Sequence, residues 1–311
     1  MSLATRMEFG KTLIEIARTD ESFVVINPDS KSQGLENFGT LYPGRGYNFG
    51  IAEQNMFAAA AGFASCGHKV FVTTFAVFAS MRACEQVRTF ICYPNLNVTI
   101  AVSHCGLQVG PDGVTHMATE DVSIMRSFPN MTVIQPSDAV SARAAAHAAV
   151  SFIGPLYVRL HRDPVPDIHD PVTYRFEIGK ANSIKEYGDD VAILVSGILL
   201  TKALKAAEEL DMMGIRCRVV EFHTIKPLDE NAVIKLARAT RAVITVEDHT
   251  VLGGFGAAVA EVLGEKCPTR MKRIGIRDVF GESGPPELLY NDHGMSVSDI
   301  VAAAVELQKA K

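Results

Sequence analysis

The 311-residue sequence has no tryptophan, no Cys-x-x-Cys pair among its six cysteines and no apolar run long enough to span a membrane. It has no basic block and no mixing of basic and aromatic residues of the kind that binds nucleic acid. No Cys/His spacing resembles a zinc site. The first residues lack the pattern of a secretory signal. We therefore expect a cytoplasmic protein with reduced cysteines and with neither a nucleic-acid nor a membrane partner.

The chain has material for two cores, because 48% of its residues are hydrophobic and its length suits two ordinary domains. Short apolar runs alternate with alanine-rich helical patterns, including 52–66 and 80–92, which predicts βαβ units and parallel sheets. A proline- and acid-rich stretch over 163–171 interrupts this alternation. The prediction is two doubly wound α/β domains, 1–165 and 190–311, joined by a linker over 166–189.

Glu53 begins a very apolar helix that continues through Phe57 and four consecutive alanines. A carboxylate among Ala, Phe and Gly is hard to solvate and needs a partner that can share a proton. The alternative is that Glu53 satisfies backbone donors in the first helical turn, where negative charge is favoured. On composition alone such capping is the commoner role.

Three further clusters follow predicted strands or flank them. Phe75 and Phe78 come after the strand near 70–73, where a flat heterocycle could stack on them. The loop 103–116 contains three glycines, His104, His116 and Asp112, which favours an active-site loop. Arg6 and Arg162 suit bidentate phosphate recognition, although either could be a surface ion-pair partner. Glu247–Asp248–His249, at another strand end, we interpret as structural.

Taken in order, these motifs resemble the C-terminal half of transketolase over essentially the whole chain. The matching segments are Ala4–Thr5–Arg6, Gly50–Ile51–Ala52–Glu53, Thr74–Phe75 with Phe78, the loop Gly110–Pro111–Asp112–Gly113–Val114–Thr115–His116, and Leu160–His161–Arg162. Each motif alone is weak, and the order of all five makes the resemblance specific. The resemblance implies a pyrimidine-binding domain with a parallel sheet, followed by a transketolase C-terminal-like domain.

The resemblance also implies roles for individual residues. Glu53 would hydrogen-bond the aminopyrimidine of thiamine diphosphate, and Phe75 and Phe78 would enclose that ring. The third aromatic of the family pocket falls near Met81, which can pack against a ring but cannot stack as an aromatic. The remaining roles concern the sugar. His104 and His116 would bind donor hydroxyls and the developing oxyanion, Asp112 would bind a sugar hydroxyl, and Arg6, Arg162, Ser30 and Ser32 would hold the phosphate.

One family motif is missing. The Gly-Asp-Gly segment that binds the metal of the diphosphate, usually Mg²⁺ and sometimes Ca²⁺, does not occur in this sequence. The chain therefore resembles the C-terminal subunit of a split transketolase. An N-terminal subunit would hold the metal, and the assembly would contain two copies of each chain.

Three alternatives stay open. 1-Deoxyxylulose-5-phosphate synthase shares the Glu and the Asp-Gly-x-Thr-His loop, but usually has Asp-Arg where this chain has Ser103–His104. The beta subunit of 2-oxo-acid dehydrogenases lacks a matching sugar loop. A non-catalytic transketolase-like scaffold would not need the retained site residues. The particular sugars, including those of the pentose phosphate pathway, are not fixed by these motifs.

Overall fold

The protein is described by a computed structural model that covers residues 2–30 and 32–309. Two parallel sheets, each flanked by helices, confirm the predicted pair of doubly wound α/β domains. None of the helices in the described ranges is long and apolar enough to cross a membrane.

The first sheet has the strand order β10–β5–β6–β4–β3–β1–β2, and every pair is parallel except the pair that β10 makes with β5. Its strands are β1 (Phe23–Asn27), β2 (Gly46–Asn48), β3 (Lys69–Phe75), β4 (Val98–Ser103), β5 (Thr132–Ile134), β6 (Leu156–Arg159) and β10 (Thr224–Lys226). The helices beside it are α1 (Thr5–Ile16), α2 (Phe38–Leu41), α3 (Glu53–Ser65), α4 (Asp121–Ser127) and α5 (Ala139–Ser151).

Both faces of the first sheet are covered, which explains its nearly continuous apolar strands. Phe71 of β3 packs with Phe9 of α1 on one face, while its neighbours Val70 and Val72 pack with Met56 of α3 on the other. Successive side chains of a strand point to opposite faces, so one apolar run supplies two cores.

The second sheet has the order β12–β11–β8–β9–β7, and only β7 is antiparallel. Its strands are β7 (Asn182–Glu186), β8 (Val191–Ser196), β9 (Cys217–Glu221), β11 (Ala242–Thr250) and β12 (Arg270–Ile276). The helices are α6 (Leu200–Met212), α7 (Glu230–Thr240), α8 (Phe255–Lys266), α9 (Pro286–Asp292) and α10 (Val297–Lys309).

The structure differs from the predicted organisation at one edge of each sheet. The stretch 166–189, predicted as a linker, contains β7, and β10 follows β9 in the chain yet pairs with β5 of the first sheet. Both strands are short or polar, and edge strands do not need the apolar pattern that marks a central strand. The two domains are therefore joined by sheet pairing as well as by the chain.

The prediction of one continuous helix over 80–92 is wrong in detail. The segment divides into two π-helical stretches, Phe78–Arg82 and Gln86–Cys92, and the Ala83 N–H donates to the Phe78 carbonyl at 3.0 Å. Such an i→i+5 bond makes a wider turn than that of an α-helix. The widened turn follows β3 directly and sets which side chains face the site.

Candidate active site

A cavity of about 410 Å³ lies beyond the carboxyl ends of β1 and β3, where open α/β sheets bind ligands. Five of the residues predicted from the sequence line it: Ser30, Glu53, Phe75, Phe78 and His116. A cavity of about 460 Å³ between α1 and α5 contains none of the predicted site residues. The chemistry therefore points to the first cavity.

Glu53 is the first residue of α3 and only 2% of its surface is exposed. Its Oε2 accepts a hydrogen bond from Arg82 Nη1 at 3.0 Å. Within the described ranges no other residue hydrogen-bonds this carboxylate, so the capping alternative does not describe it. Oε1 consequently remains available to a ligand, and the residues present fit a ring with hydrogen-bonding nitrogens.

Three planar side chains, those of His104, Phe75 and Phe78, stack in a column along one wall of the cavity. His104 stacks on Phe75 with ring centroids 3.8 Å apart, and Phe75 stacks on Phe78 at 5.7 Å. His116 approaches both phenylalanines edge-on, at 6.0 Å from Phe75 and 5.6 Å from Phe78. The predicted aromatic and histidine clusters are thus one assembly.

His104 follows β4 directly and has a left-handed backbone, with φ of 59°. Its Nδ1 lies 2.8 Å from the Ser103 hydroxyl. Burial, together with the positive charges of Arg6 and Arg162, lowers the pKa of His104 to about 3. The ring is therefore neutral near pH 7 and can donate or accept a hydrogen bond without carrying charge. A strained non-glycine backbone held beside a cavity is typical of functional positions.

The two arginines predicted to bind phosphate lie together, but outside the lining of the cavity. Arg6 Nε donates to the Arg162 carbonyl at 2.9 Å, and its Nη1 donates to the Ser32 carbonyl. Arg162 donates to the Val109 carbonyl and lies 3.7 Å from the carboxylate of Asp112. Each arginine retains further N–H groups, and the pKa of Arg6 is lowered by burial and by Arg162.

Ser32 is buried and donates to the Gln33 side chain, while Ser30, 3.2 Å from the Ser32 hydroxyl, lines the cavity. Met81 is 41% exposed and does not line the cavity. His161, beside Arg162, is fully buried and contacts Gln135 instead of the site. Ser30 is thus the serine that can reach a ligand.

Sequence reasoning missed Arg82. Its guanidinium lies 4.2 Å from the centroid of the Phe78 ring as well as against Glu53. Arg82 follows Phe78 by four positions, a spacing at which side chains on one helical face are neighbours. The only sequence signal was an arginine shortly after the aromatic pair.

Known proteins and family models match this chain over nearly its whole length. The family model "Transketolase, pyrimidine binding domain" matches residues 1–167, and "Transketolase, C-terminal domain" matches 179–300. The 6-deoxy-6-sulfo-D-fructose transketolase subunit SqwH of Clostridium sp. (strain MSTE9) is 43% identical, covering 96% of this chain and 92% of its own.

Two solved transketolase structures are also similar to this chain. A structure titled "Split gene transketolase, inactive beta4 tetramer" has a TM-score of 0.91 at 43% identity and covers 99% of both chains. Transketolase from Campylobacter jejuni subsp. jejuni NCTC 11168 has a TM-score of 0.80 at 28% identity. It aligns with 98% of this chain but with only 47% of its own length.

Proposed function

This chain belongs to the transketolase family, and we propose that it is the C-terminal subunit of a two-chain transketolase that transfers a two-carbon ketol unit between sugar phosphates. The observation that carries the proposal is the cavity in which a buried carboxylate, Glu53, faces Phe75, Phe78 and His116. The structure titled "Split gene transketolase, inactive beta4 tetramer", which this chain matches over 99% of both lengths, supports a second chain for the remaining half.

We propose thiamine diphosphate as the cofactor. When bound, it supplies the carbon nucleophile that carries the two-carbon unit. Glu53 holds the proton shared with the aminopyrimidine nitrogen, and its buried position keeps that proton from water. Phe75 and Phe78 orient the ring, and Met81, exposed near them, contributes packing at the rim. His104, which is neutral near pH 7, and His116 beside it hydrogen-bond the substrate oxygen on which negative charge develops.

We propose that the substrates carry an anionic end group, held by Arg6, Arg162 and Ser30, while the buried Ser32 lies 3.2 Å from the Ser30 hydroxyl. Asp112, whose carboxylate lies 3.7 Å from Arg162 and retains further acceptor sites, binds a sugar hydroxyl. The two arginines are close enough to act together, and only part of their donor capacity is used by backbone carbonyls.

The partner in this proposal is an N-terminal transketolase subunit that binds the diphosphate through Mg²⁺ or Ca²⁺. This chain has no Gly-Asp-Gly segment to hold such an ion. We propose two copies of each chain, because most assemblies are symmetric. A cytoplasmic location is part of the proposal and rests on the six cysteines, all of them free thiols.

The test is a transfer assay with thiamine diphosphate and Mg²⁺, run with this chain alone and after co-expression with the neighbouring gene product that carries Gly-Asp-Gly. The donors are xylulose 5-phosphate and 6-deoxy-6-sulfofructose, with ribose 5-phosphate as acceptor. We expect transfer only with both chains present. Transfer by this chain alone would refute the two-chain proposal.

A second arm with pyruvate and glyceraldehyde 3-phosphate tests the deoxyxylulose phosphate synthase alternative. If the complex condenses these two substrates, deoxyxylulose phosphate synthesis replaces ketol transfer as the function. Cofactor binding without turnover of any of these substrates would refute the sugar assignment, and an inability to bind cofactor would favour the scaffold.

A further inference from the structure

Arg82 makes both of the contacts that the site offers to an aminopyrimidine. Its guanidinium donates to Glu53 at 3.0 Å and lies over the Phe78 ring at 4.2 Å from the centroid. A guanidinium is planar and carries N–H donors, as an aminopyrimidine ring does. The side chain therefore resembles, in shape and in hydrogen bonding, the group that the cavity suits.

The position of Arg82 matters because the stacking column has few free faces. His104 lies on Phe75, Phe75 lies near Phe78 with an interplanar angle of 16°, and Arg82 covers Phe78. A flat ring that stacks on Phe78 and bonds Glu53 needs the volume that the guanidinium occupies. The two cannot occupy it together.

We propose that Arg82 fills the pyrimidine subsite of the cofactor-free subunit and is displaced when cofactor binds. This inference rests on the proposed function, since it assumes that the ring enters beside Glu53. The side chain can move outward, because 47% of it is exposed and the π-helical segment that carries it borders the cavity.

Glu53 has only 3% of its side chain exposed, so withdrawing Arg82 with nothing in its place leaves a buried and unpaired anion. The closed arrangement is therefore favoured until a ligand replaces the arginine. A binding site that is open only part of the time has its apparent affinity reduced by the open fraction. Arg82 thus lowers cofactor affinity and shields the carboxylate before assembly.

The test is equilibrium binding of thiamine diphosphate to the complex of this chain with its Gly-Asp-Gly partner, at saturating Mg²⁺, by titration calorimetry. We expect Arg82→Met to bind cofactor roughly tenfold more tightly than wild type, because the competing side chain is gone. Arg82→Lys keeps the charge without the plane and should bind with intermediate affinity.

Two controls isolate the pyrimidine end. Inorganic pyrophosphate, which lacks the ring, should bind wild type and Arg82→Met equally. Arg88→Met removes an exposed arginine six positions further on and should leave the cofactor Kd unchanged.

If Arg82 only stabilised the structure, Arg82→Met would bind thiamine diphosphate more weakly than wild type, which is the opposite of the tighter binding that we expect. Weaker or unchanged thiamine diphosphate binding in a folded Arg82→Met complex would overturn the inference while leaving the proposed function intact. If the wild-type complex itself does not bind thiamine diphosphate, the proposed function fails and this inference fails with it.

Discussion

The carboxyl end of β3 in the first domain and the segment Glu247–Asp248–His249 of β11 in the second both place carboxylates near the end of an interior strand, but the first lies open to a cavity and Asp248 is covered. Glu53 and Phe75 line a cavity, and only one oxygen of the Glu53 carboxylate is paired within the described ranges. At the second place Asp248 is 1% exposed and bonds the Leu107 N–H at 2.9 Å and the Tyr290 hydroxyl at 2.8 Å.

The sealed strand end is closed by the first domain itself. A Cβ atom on Gly106, whose φ is 62°, would lie 2.2 Å from the Asp248 carboxylate, so the loop can approach only with glycine there. Glu247 accepts from the N–H groups of Phe255 and Gly256 at the start of α8, although burial raises its pKa to about 7. Titratable groups at a strand end, even perturbed ones, mark a site only where a ligand can reach them.

The largest expected effect is at the open end. Glu53→Ala removes the buried carboxylate that pairs with Arg82, and we expect turnover of the two-chain complex to fall roughly 10³- to 10⁴-fold. Thermal unfolding should change little, since the variant leaves a half-exposed arginine rather than a buried charge. The measurement is steady-state transfer beside a melting curve, and near wild-type turnover would remove Glu53 from the chemistry.

The sealed end should respond in the opposite way. Asp248→Ala leaves the Leu107 N–H and the Tyr290 hydroxyl buried without their acceptor, which should lower the free energy of unfolding by about 2–4 kcal/mol. Chemical denaturation measures this, with the exposed Asp292→Ala as control. A loss of turnover with unchanged stability would mean that this cluster is a site after all.

A third prediction concerns the linker residue His169, which lies 2.9 Å from Asp138 in the first domain and 3.0 Å from Glu221 in the second. Burial alone lowers the pKa of His169, but hydrogen bonds to these two carboxylates outweigh it and raise the pKa to about 9. A raised folded-state pKa gives stability that is complete below the unfolded value near 6.5 and is lost as pH rises through about 9.

We therefore expect the free energy of unfolding to fall by about 2–3 kcal/mol between pH 7 and pH 10. His169→Gln should flatten this dependence, whereas His147→Gln, at an exposed position, should not. An unchanged pH dependence in His169→Gln would show that the two domains are not held by a protonated His169.

The smallest effect is expected at the rim of the open site. Arg162→Ala should raise KM for phosphorylated sugars roughly tenfold with a smaller change in kcat, because it removes binding common to ground and transition states. Arg238→Ala, at an exposed position in the second domain, is the charge-matched control. An unchanged KM in Arg162→Ala would exclude it from the substrate site.

The sequence predicted the central strands well, since the apolar runs of β3, β4 and β8 are buried on both faces and carry a strong signal. It missed the edge strands β7 and β10, whose residues are polar or few and whose pairing depends on tertiary contacts.

In the site, too, local motifs could be predicted and long-range contacts could not. Glu53, Phe75, Phe78 and His116 could be predicted because each follows a recognisable element or motif. Arg82 could not, because its contact with Glu53 spans 29 positions and depends on how α3 packs against the segment after β3. Met81, predicted near the third aromatic position, lies exposed outside the cavity lining.

The central claim is that the open end of the first domain supplies Glu53 to a cofactor held in part by another chain. The most direct measurement is the rate at which the C2 proton of bound thiamine diphosphate exchanges with D₂O, followed by quenched-flow NMR in the reconstituted complex. We predict rapid exchange in wild type, slowing by at least about 100-fold in Glu53→Gln, and no acceleration over free cofactor with this chain alone. Equally rapid exchange in Glu53→Gln, or acceleration by this chain without its partner, would contradict the account.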